Sequence, residues 1–227
     1  MTRFIYLHGL LSSSKSTKGI LLKKHLASRG DVYTPDFYPE RKDFEGMTVT
    51  SLLERVAAWI GEANNPVVLL GSSFGGLMAT RYLQLKRKNS ERVKLLILLA
   101  PALEFYHLLK ERIVSTSAWK EWQDCGYQLV QHPAWTGETK WSWDFVLDLK
   151  KNHSPMDDPV TVPTLLVHGE DDEVIPAENS RHYAIKQAEL GCNWSTYFLP
   201  GGNHQLSNII PEMIEIIDSW LEKHLSW

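Results

Sequence analysis

Short, continuous apolar runs alternate along this chain with longer segments whose apolar residues recur at helical spacing. The runs at Phe4–Leu7, Val32–Thr34, Val67–Leu70, Lys94–Leu99, Thr164–Val167 and Thr196–Leu199 predict strands. Several are unbroken Val/Ile/Leu stretches, as expected of strands buried on both faces. Between them, Lys18–Ser28, Val49–Ala63, Phe74–Lys88, Ala177–Glu189 and Ile209–Lys223 predict helices. In the second of these, Leu52, Leu53, Val56, Ala57 and Ile60 share one helical face. This alternation predicts an α/β fold, a doubly wound, mostly parallel sheet wrapped by helices.

The alternation breaks between Pro101 and Pro163. Helix-like pieces at Glu104–Val114 and Trp143–Lys151 flank an irregular, aromatic-rich middle that offers no buried strand. The expected organisation is one domain over residues 1–227, carrying a small helical lid inserted at about residues 104–155. Five of the nine tryptophans fall there: Trp119, Trp122, Trp135, Trp141 and Trp143. Large aromatics let a thin insertion bury enough area to be ordered. They also suit an apolar slot for an acyl chain or aromatic leaving group. Trp119, Trp122, Trp141, Trp143 and Phe105 are the expected pocket residues, with Glu104 and Tyr106 facing the same slot.

Composition narrows the function classes. With 43% hydrophobic and 22% charged residues and a formal charge of -3, the 227-residue chain has ordinary globular chemistry. Nothing in that charge balance favours nucleic acid or an anionic membrane as partner. No run approaches the roughly 20 apolar residues of a membrane span. The N-terminal run is too short for a signal peptide, and His8 interrupts it. Cys125 and Cys192 belong to no metal-ligand spacing or disulfide framework. A cytosolic protein without metal or cofactor is the expectation.

The chemistry concentrates in the turns after the strands. Gly71-Ser72-Ser73-Phe74-Gly75 joins the Val67–Leu70 strand to a helix. A serine hydroxyl is a weak nucleophile until a base takes its proton and the backbone holds its oxygen clear. A sharp strand-to-helix turn gives that exposure when the residues two before and two after the serine are small. Ser73 is the candidate nucleophile. Gly201-Gly202-Asn203-His204 follows the Thr196–Leu199 strand and offers His204 as base. The acidic turn Glu170-Asp171-Asp172-Glu173 follows the Thr164–Val167 strand and offers an acid to orient the imidazole. Spacing alone does not separate Asp171 from Asp172. For the oxyanion, the backbone N–H groups of Leu10, after Gly9, and of Phe74, at a helix N-terminus, are the candidate donors. All these turns lie at strand C-terminal ends, where open α/β sheets place their sites.

Serine, acid and histidine follow in that chain order, and at every landmark the chain resembles the α/β-hydrolase superfamily. His8-Gly9 is similar to that family's oxyanion motif, and Gly71-Ser72-Ser73-Phe74-Gly75 to its nucleophile elbow. Gly202-Asn203-His204 is similar to its histidine loop. His168-Gly169-Glu170-Asp171-Asp172 resembles its His-Gly-x-x-Asp acid loop, which assigns the acid to Asp172. Within the superfamily the chain resembles small cofactor-free bacterial carboxylesterases and the acyl-glucuronide esterase and thioesterase type. The resemblance implies a serine hydrolase acting on a small-molecule acyl ester or thioester through an acyl-enzyme on Ser73. Peptidase, perhydrolase and lyase activities, or a non-catalytic binding protein, are the alternatives on the same fold.

Two other motifs carry less. Gly9 to Ser16 approaches the phosphate-cradling Gly-x-x-x-x-Gly-Lys-Ser loop, but Ser14 occupies the second glycine position, where a side chain crowds the phosphate. Ser12 to Ser16 are expected instead to cap the first helix and line the pocket rim. His8, His168 and His204 fit no metal-binding spacing; His8 is read as structural, and His168 as a buried, hydrogen-bonded structural histidine.

Overall fold

The computed structural model describes residues 2–225. Met1, Ser226 and Trp227, which the single-domain reading takes in, lie outside the described residues. A six-stranded sheet forms the centre, with spatial order β2-β1-β3-β4-β7-β8 and every neighbouring pair parallel. Its strands are β1 (Thr2–Leu7), β2 (Gly30–Tyr33), β3 (Val67–Ser72), β4 (Val93–Leu99), β7 (Thr164–Gly169) and β8 (Trp194–Leu199). The chain runs from β1 outward to the edge strand β2, then crosses back to lay β3 on the other side of β1. The order therefore reverses at β1 and β3, where a crevice opens beyond the strand ends.

Alternation along the strands divides the core into two layers. Phe4, Tyr6, Val68, Leu70, Leu95, Ile97, Leu165 and Val167 pack against Leu22 and Leu26 of α1 (Thr17–Leu26) and Met213, Ile217 and Trp220 of α9 (Ile210–His224). Ile5, Leu7, Val67, Leu69, Leu96, Leu98 and Leu166 face the other way. They pack against Leu52, Val56 and Ile60 of α3 (Val49–Gly61) and Leu77, Met78 and Tyr82 of α4 (Phe74–Gln84). Helix α8 (Ala177–Glu189) adds Tyr183 to this second layer.

The segment between β4 and β7 holds more regular structure than its pattern predicts. After α5 (Phe105–Leu108) and a wide helical turn over Leu109–Ile113 comes α6 (Thr116–Cys125), capped by the Ser115 hydroxyl. An antiparallel hairpin of β5 (Tyr127–Gln131) and β6 (Glu138–Ser142) follows, then α7 (Trp143–Lys151). The hairpin escapes a search for buried runs because only alternate side chains are covered, chiefly Thr139 and Trp141 of β6, and it joins no larger sheet. The five-residue helix α2 (Arg41–Glu45) was likewise too short to show a period. Arg41 reaches from it to the carbonyls of Thr136 and Glu138 at 2.6 and 3.0 Å. Asp148 of α7 accepts from the Thr50 backbone and hydroxyl at 2.6 and 3.0 Å. The inserted segment is thus bound to the α3 side of the body.

Candidate active site

Ser73 joins β3 to α4 with φ 53° and ψ -120°. That conformation costs a non-glycine residue about 1–3 kcal/mol. Neighbouring strands hold it there. The Ser73 N–H donates to the Leu99 carbonyl, and its own carbonyl accepts from the Ala102 N–H, both at 3.0 Å. The turn leaves no room for side chains at its flanks. A Cβ on Gly71 would lie 2.4 Å from the Gly75 carbonyl oxygen, and one on Gly75 would lie 2.1 Å from that of Leu7. The two glycines are required by backbone contact.

His204 comes from the loop after β8, and its Nε2 lies 3.0 Å from Ser73 Oγ. Its Nδ1 lies 2.8 Å from Asp172 Oδ2, on the loop after β7. The two loops cross almost backbone to backbone: a Cβ on Gly169 would fall 2.1 Å from the Gly202 carbonyl oxygen. That contact is locked by the Asp171 N–H donating to the Gly202 carbonyl at 3.0 Å. Asp171 therefore serves through its backbone, and its side chain is exposed.

The Asp172 carboxylate is fully buried and bonded on both oxygens. Oδ1 accepts from the backbone N–H groups of Val174 and Ile175 at 2.9 and 2.7 Å. Oδ2 lies 2.8 Å from His204 Nδ1 and 2.9 Å from His168 Nε2. Burial pushes this acid up, but bonds from His168, His204 and the Ile175 amide outweigh it and hold the group well below the usual carboxylate range. His168 Nε2 faces only acceptors, Asp172 and the Ile175 carbonyl at 3.0 Å, so it carries the proton, and Nδ1 accepts from the Ser180 hydroxyl at 2.8 Å. By the same argument His204 carries its proton on Nδ1 and turns a lone pair toward Ser73.

His8 lies buried below the β1 turn. Its Nδ1 is 2.8 Å from the Gly9 carbonyl and its Nε2 3.1 Å from Asp36 Oδ1. The Tyr38 hydroxyl donates to the same Gly9 carbonyl at 3.1 Å. Among the described residues no group of three or more His, Cys, Asp or Glu side chains is arranged to hold a metal ion.

Ser73 and His204 open on a cavity of about 320 Å³ at the β1/β3 switch point, which Leu10 and Phe74 also border. Phe74 begins α4, and the first amide of a helix has no acceptor within it. Of the aromatic residues expected from sequence, Phe105 and Trp141 line the cavity. Trp119, Trp122 and Trp143 do not border it. They pack on one another with ring centroids 5.0 to 6.1 Å apart, and the Trp122 indole N–H donates to the Trp141 carbonyl at 2.8 Å. Three of the four proposed pocket tryptophans thus brace the wall from behind, because indoles in a thin segment find their largest buried area against each other.

Ser12 and Ser16 line the cavity as expected of the serine-rich rim, but sequence reasoning missed Tyr6, Lys18 and Ser72, which line it beside them. Lys18 Nζ donates to Ser72 Oγ at 2.9 Å, and burial pushes the ammonium down to about 8, with the Asp172 charge opposing. Burial also pushes the Tyr6 phenol up to about 12, against the nearby Ser16 and Ser72 hydroxyls. In the sequence Lys18 reads as one more solvated lysine beside Lys15, Lys23 and Lys24. The available signal was its place in the first turn of the helix after the Gly9 loop.

Among the described residues, no helix is long and apolar enough to cross a membrane. No match is found among curated protein sequences. Several solved structures share the architecture. Est1E from Butyrivibrio proteoclasticus with bound ferulic acid matches at a TM-score of 0.81 and 20% identity, covering 100% of this chain and 90% of that one. Alpha/beta hydrolase domain-containing protein 10 from mouse matches at 0.77 and 20% identity, over 97% and 90% of the two chains. A monoacylglycerol lipase from Paleococcus ferrophilus matches at 0.69 and 19% identity, over 98% and 94%. At such identities the likeness speaks for the fold. A family model described as Uncharacterised protein family (UPF0227) matches residues 3–220, so the chain belongs to that family, and its fold is that of the α/β hydrolases.

Proposed function

We propose that the protein is a serine hydrolase that cleaves carboxylic esters or thioesters of small molecules. The observation that carries this reading is the unbroken chain from Ser73 Oγ through His204 to Asp172, at 3.0 and 2.8 Å. Ser73 attacks the acyl carbonyl while His204 Nε2 takes its proton. The same nitrogen then returns the proton to the departing alcohol or thiol, and the acyl group stays on Ser73. Asp172, kept ionised by its four N–H partners, fixes the His204 tautomer and stabilises the imidazolium. A water activated by His204 then hydrolyses the acyl-enzyme and frees Ser73.

The oxyanion is stabilised by the Leu10 and Phe74 amides. What supports Leu10 is the orientation of its peptide. The Gly9 carbonyl is held by Tyr38 and His8, and across a trans peptide the Leu10 N–H points the opposite way. What supports Phe74 is the N-terminus of α4, whose dipole favours developing negative charge. In this reading the chain is one domain in which residues 104–155 act as the lid, and Phe105 and Trp141 contact the acyl chain or leaving group. The esterase and lipase names among the structural neighbours are compatible with this chemistry. No metal or cofactor takes part.

Labelling with a fluorophosphonate, followed by peptide mapping, tests the nucleophile: Ser73 is the expected adduct. Folded protein that takes no label, or takes it elsewhere, removes the reading. Hydrolysis of 4-nitrophenyl esters of increasing chain length, with an acyl thioester alongside, separates esterase from thioesterase.

A further inference from the structure

Lys18 is nine-tenths buried, yet it borders the cavity. An ammonium carries three N–H donors, and Ser72 Oγ is the hydrogen-bond partner of one of them. Among the described residues no carboxylate forms an ion pair with it. The charge that influences it is Asp172, whose oxygens are already taken by His204, His168 and two amides. A buried cation without a counterion is expensive to keep. The ester hydrolysis derived above makes no use of it.

The surroundings of Lys18 are polar. Ser12, Ser16, Tyr6 and Ser72 bring hydroxyl groups to the same wall. Helix α1 starts there, capped by Ser16, which accepts from the Gly19 N–H at 3.2 Å. Its first turn contains no acidic residue to offset the positive end of the helix dipole. The N-terminus of α4 opens on the cavity as well, through Phe74. An ammonium, the start of α1 and several hydroxyl groups therefore border the same cavity as Phe105, Leu109, Ile113 and Trp141, with the N-terminus of α4 left to the oxyanion.

We propose that this wall is a subsite for a carboxylate carried by the substrate, received by Lys18 Nζ and the hydroxyls of Ser16 and Tyr6. The substrate class is then an ester or thioester bearing a second, free acid group, such as a half-ester of a dicarboxylic acid. The inference rests on the hydrolase reading for the position of the reacting carbonyl. The uncommitted donors of Lys18 argue for an anion independently of it.

The test compares three esters: mono-4-nitrophenyl adipate, with the acid on the acyl side; 3-carboxy-4-nitrophenyl hexanoate, with the acid on a nitrophenol leaving group of similar reactivity; and neutral 4-nitrophenyl hexanoate. The wild-type protein is expected to favour one acidic ester over the neutral one by roughly tenfold or more in kcat/KM, the size expected of a charge-assisted hydrogen bond. Whichever acidic ester is preferred identifies the side of the substrate that carries the acid. In Lys18→Met that ratio is expected to fall to about one, through KM. Equal rates on all three esters in the wild type, or an unchanged ratio in Lys18→Met, overturn the subsite. Binding separates this outcome from failure of the hydrolase reading. Adipate is expected to raise the Tm of wild type and Ser73→Ala and not that of Lys18→Met, even if no ester is cleaved. No shift in any of them also overturns the proposal.

Discussion

The two walls of the cavity are built on opposite energetic terms. On one side Tyr6, Ser16, Lys18 and Ser72 come from β1, the start of α1 and the end of β3, and they bury polar groups and a charge. The inserted segment contributes Phe105, Leu109 and Trp141, which bury apolar area, while Ile113 from the same segment stays exposed. Behind Trp141 stands Trp122, 1% exposed and part of the same core as α3 and α4. The polar wall costs stability and the apolar wall supplies it. Residues of the polar wall are therefore not the ones whose loss most damages the fold, and among them a ranking of variants by stability should run nearly opposite to a ranking by selectivity.

The largest expected effect breaks what both walls share. Asp172→Asn is expected to lower kcat on any ester by roughly 10⁴-fold, because the imidazole is left in the wrong tautomer. Asp171→Asn, with its side chain exposed, is expected to stay near wild type, and the reverse outcome would reassign the acid. The same carboxylate links stability to pH. Its folded value lies below its unfolded one. The stabilisation is therefore fully present above about pH 4, the ordinary aspartate value, and is lost as pH falls below it. Urea unfolding followed down the acid limb should show a shallower decline in Asp172→Asn than in wild type.

Trp122→Ala comes next and separates the apolar wall from its support. Truncating a buried tryptophan costs about 3–5 kcal/mol, and it also leaves the Trp141 carbonyl without its indole donor. Guanidinium denaturation should register the loss. A change under 1 kcal/mol would show that the tryptophan cluster does not carry the stability of this wall.

Lys18→Met should go the other way. The folded ammonium sits at about 8, below the ordinary lysine value, so burial of the charged form destabilises the protein at neutral pH by something on the order of 3 kcal/mol. The sign follows from proton binding: between about pH 8 and the ordinary lysine value the unfolded chain holds the extra proton, so wild-type stability rises with pH there. Thermal melts should find Lys18→Met more stable than wild type at neutral pH, with the gap closing as pH rises through that window. A less stable variant at neutral pH would mean that Lys18 is a structural support and not a group retained at a cost.

How much of this was readable from the chain depends on the range of the interactions. The six sheet strands and four of the five predicted long helices appear within about two residues of their predicted positions, while α4 stops at Gln84, four residues short of its predicted end. The agreement arises because a strand buried on two faces and a helix buried on one impose local periods that the sequence displays directly. The serine turn was legible for the same reason: a steric demand within five residues leaves Gly71 and Gly75 little alternative. The β5–β6 hairpin and α2 were not legible, since elements of five residues are too short to show an apolar period and exist by virtue of what they pack against. Other decisions belonged wholly to contacts between distant segments. Asp172, which spacing does not separate from Asp171 and only the family resemblance singles out, meets His204 because the loops cross at Gly169 and Gly202. Trp141 faces the cavity while Trp119, Trp122 and Trp143 stand behind it, although all four look alike in sequence. The Lys18 ammonium ends inside the molecule because α1 lies close on β1: a Cβ on Gly19 would sit 3.1 Å from the Tyr6 ring. Periodicity assigns a residue to an element and a face, but where a charged tip ends is settled by the packing of whole elements, a term that no local window contains.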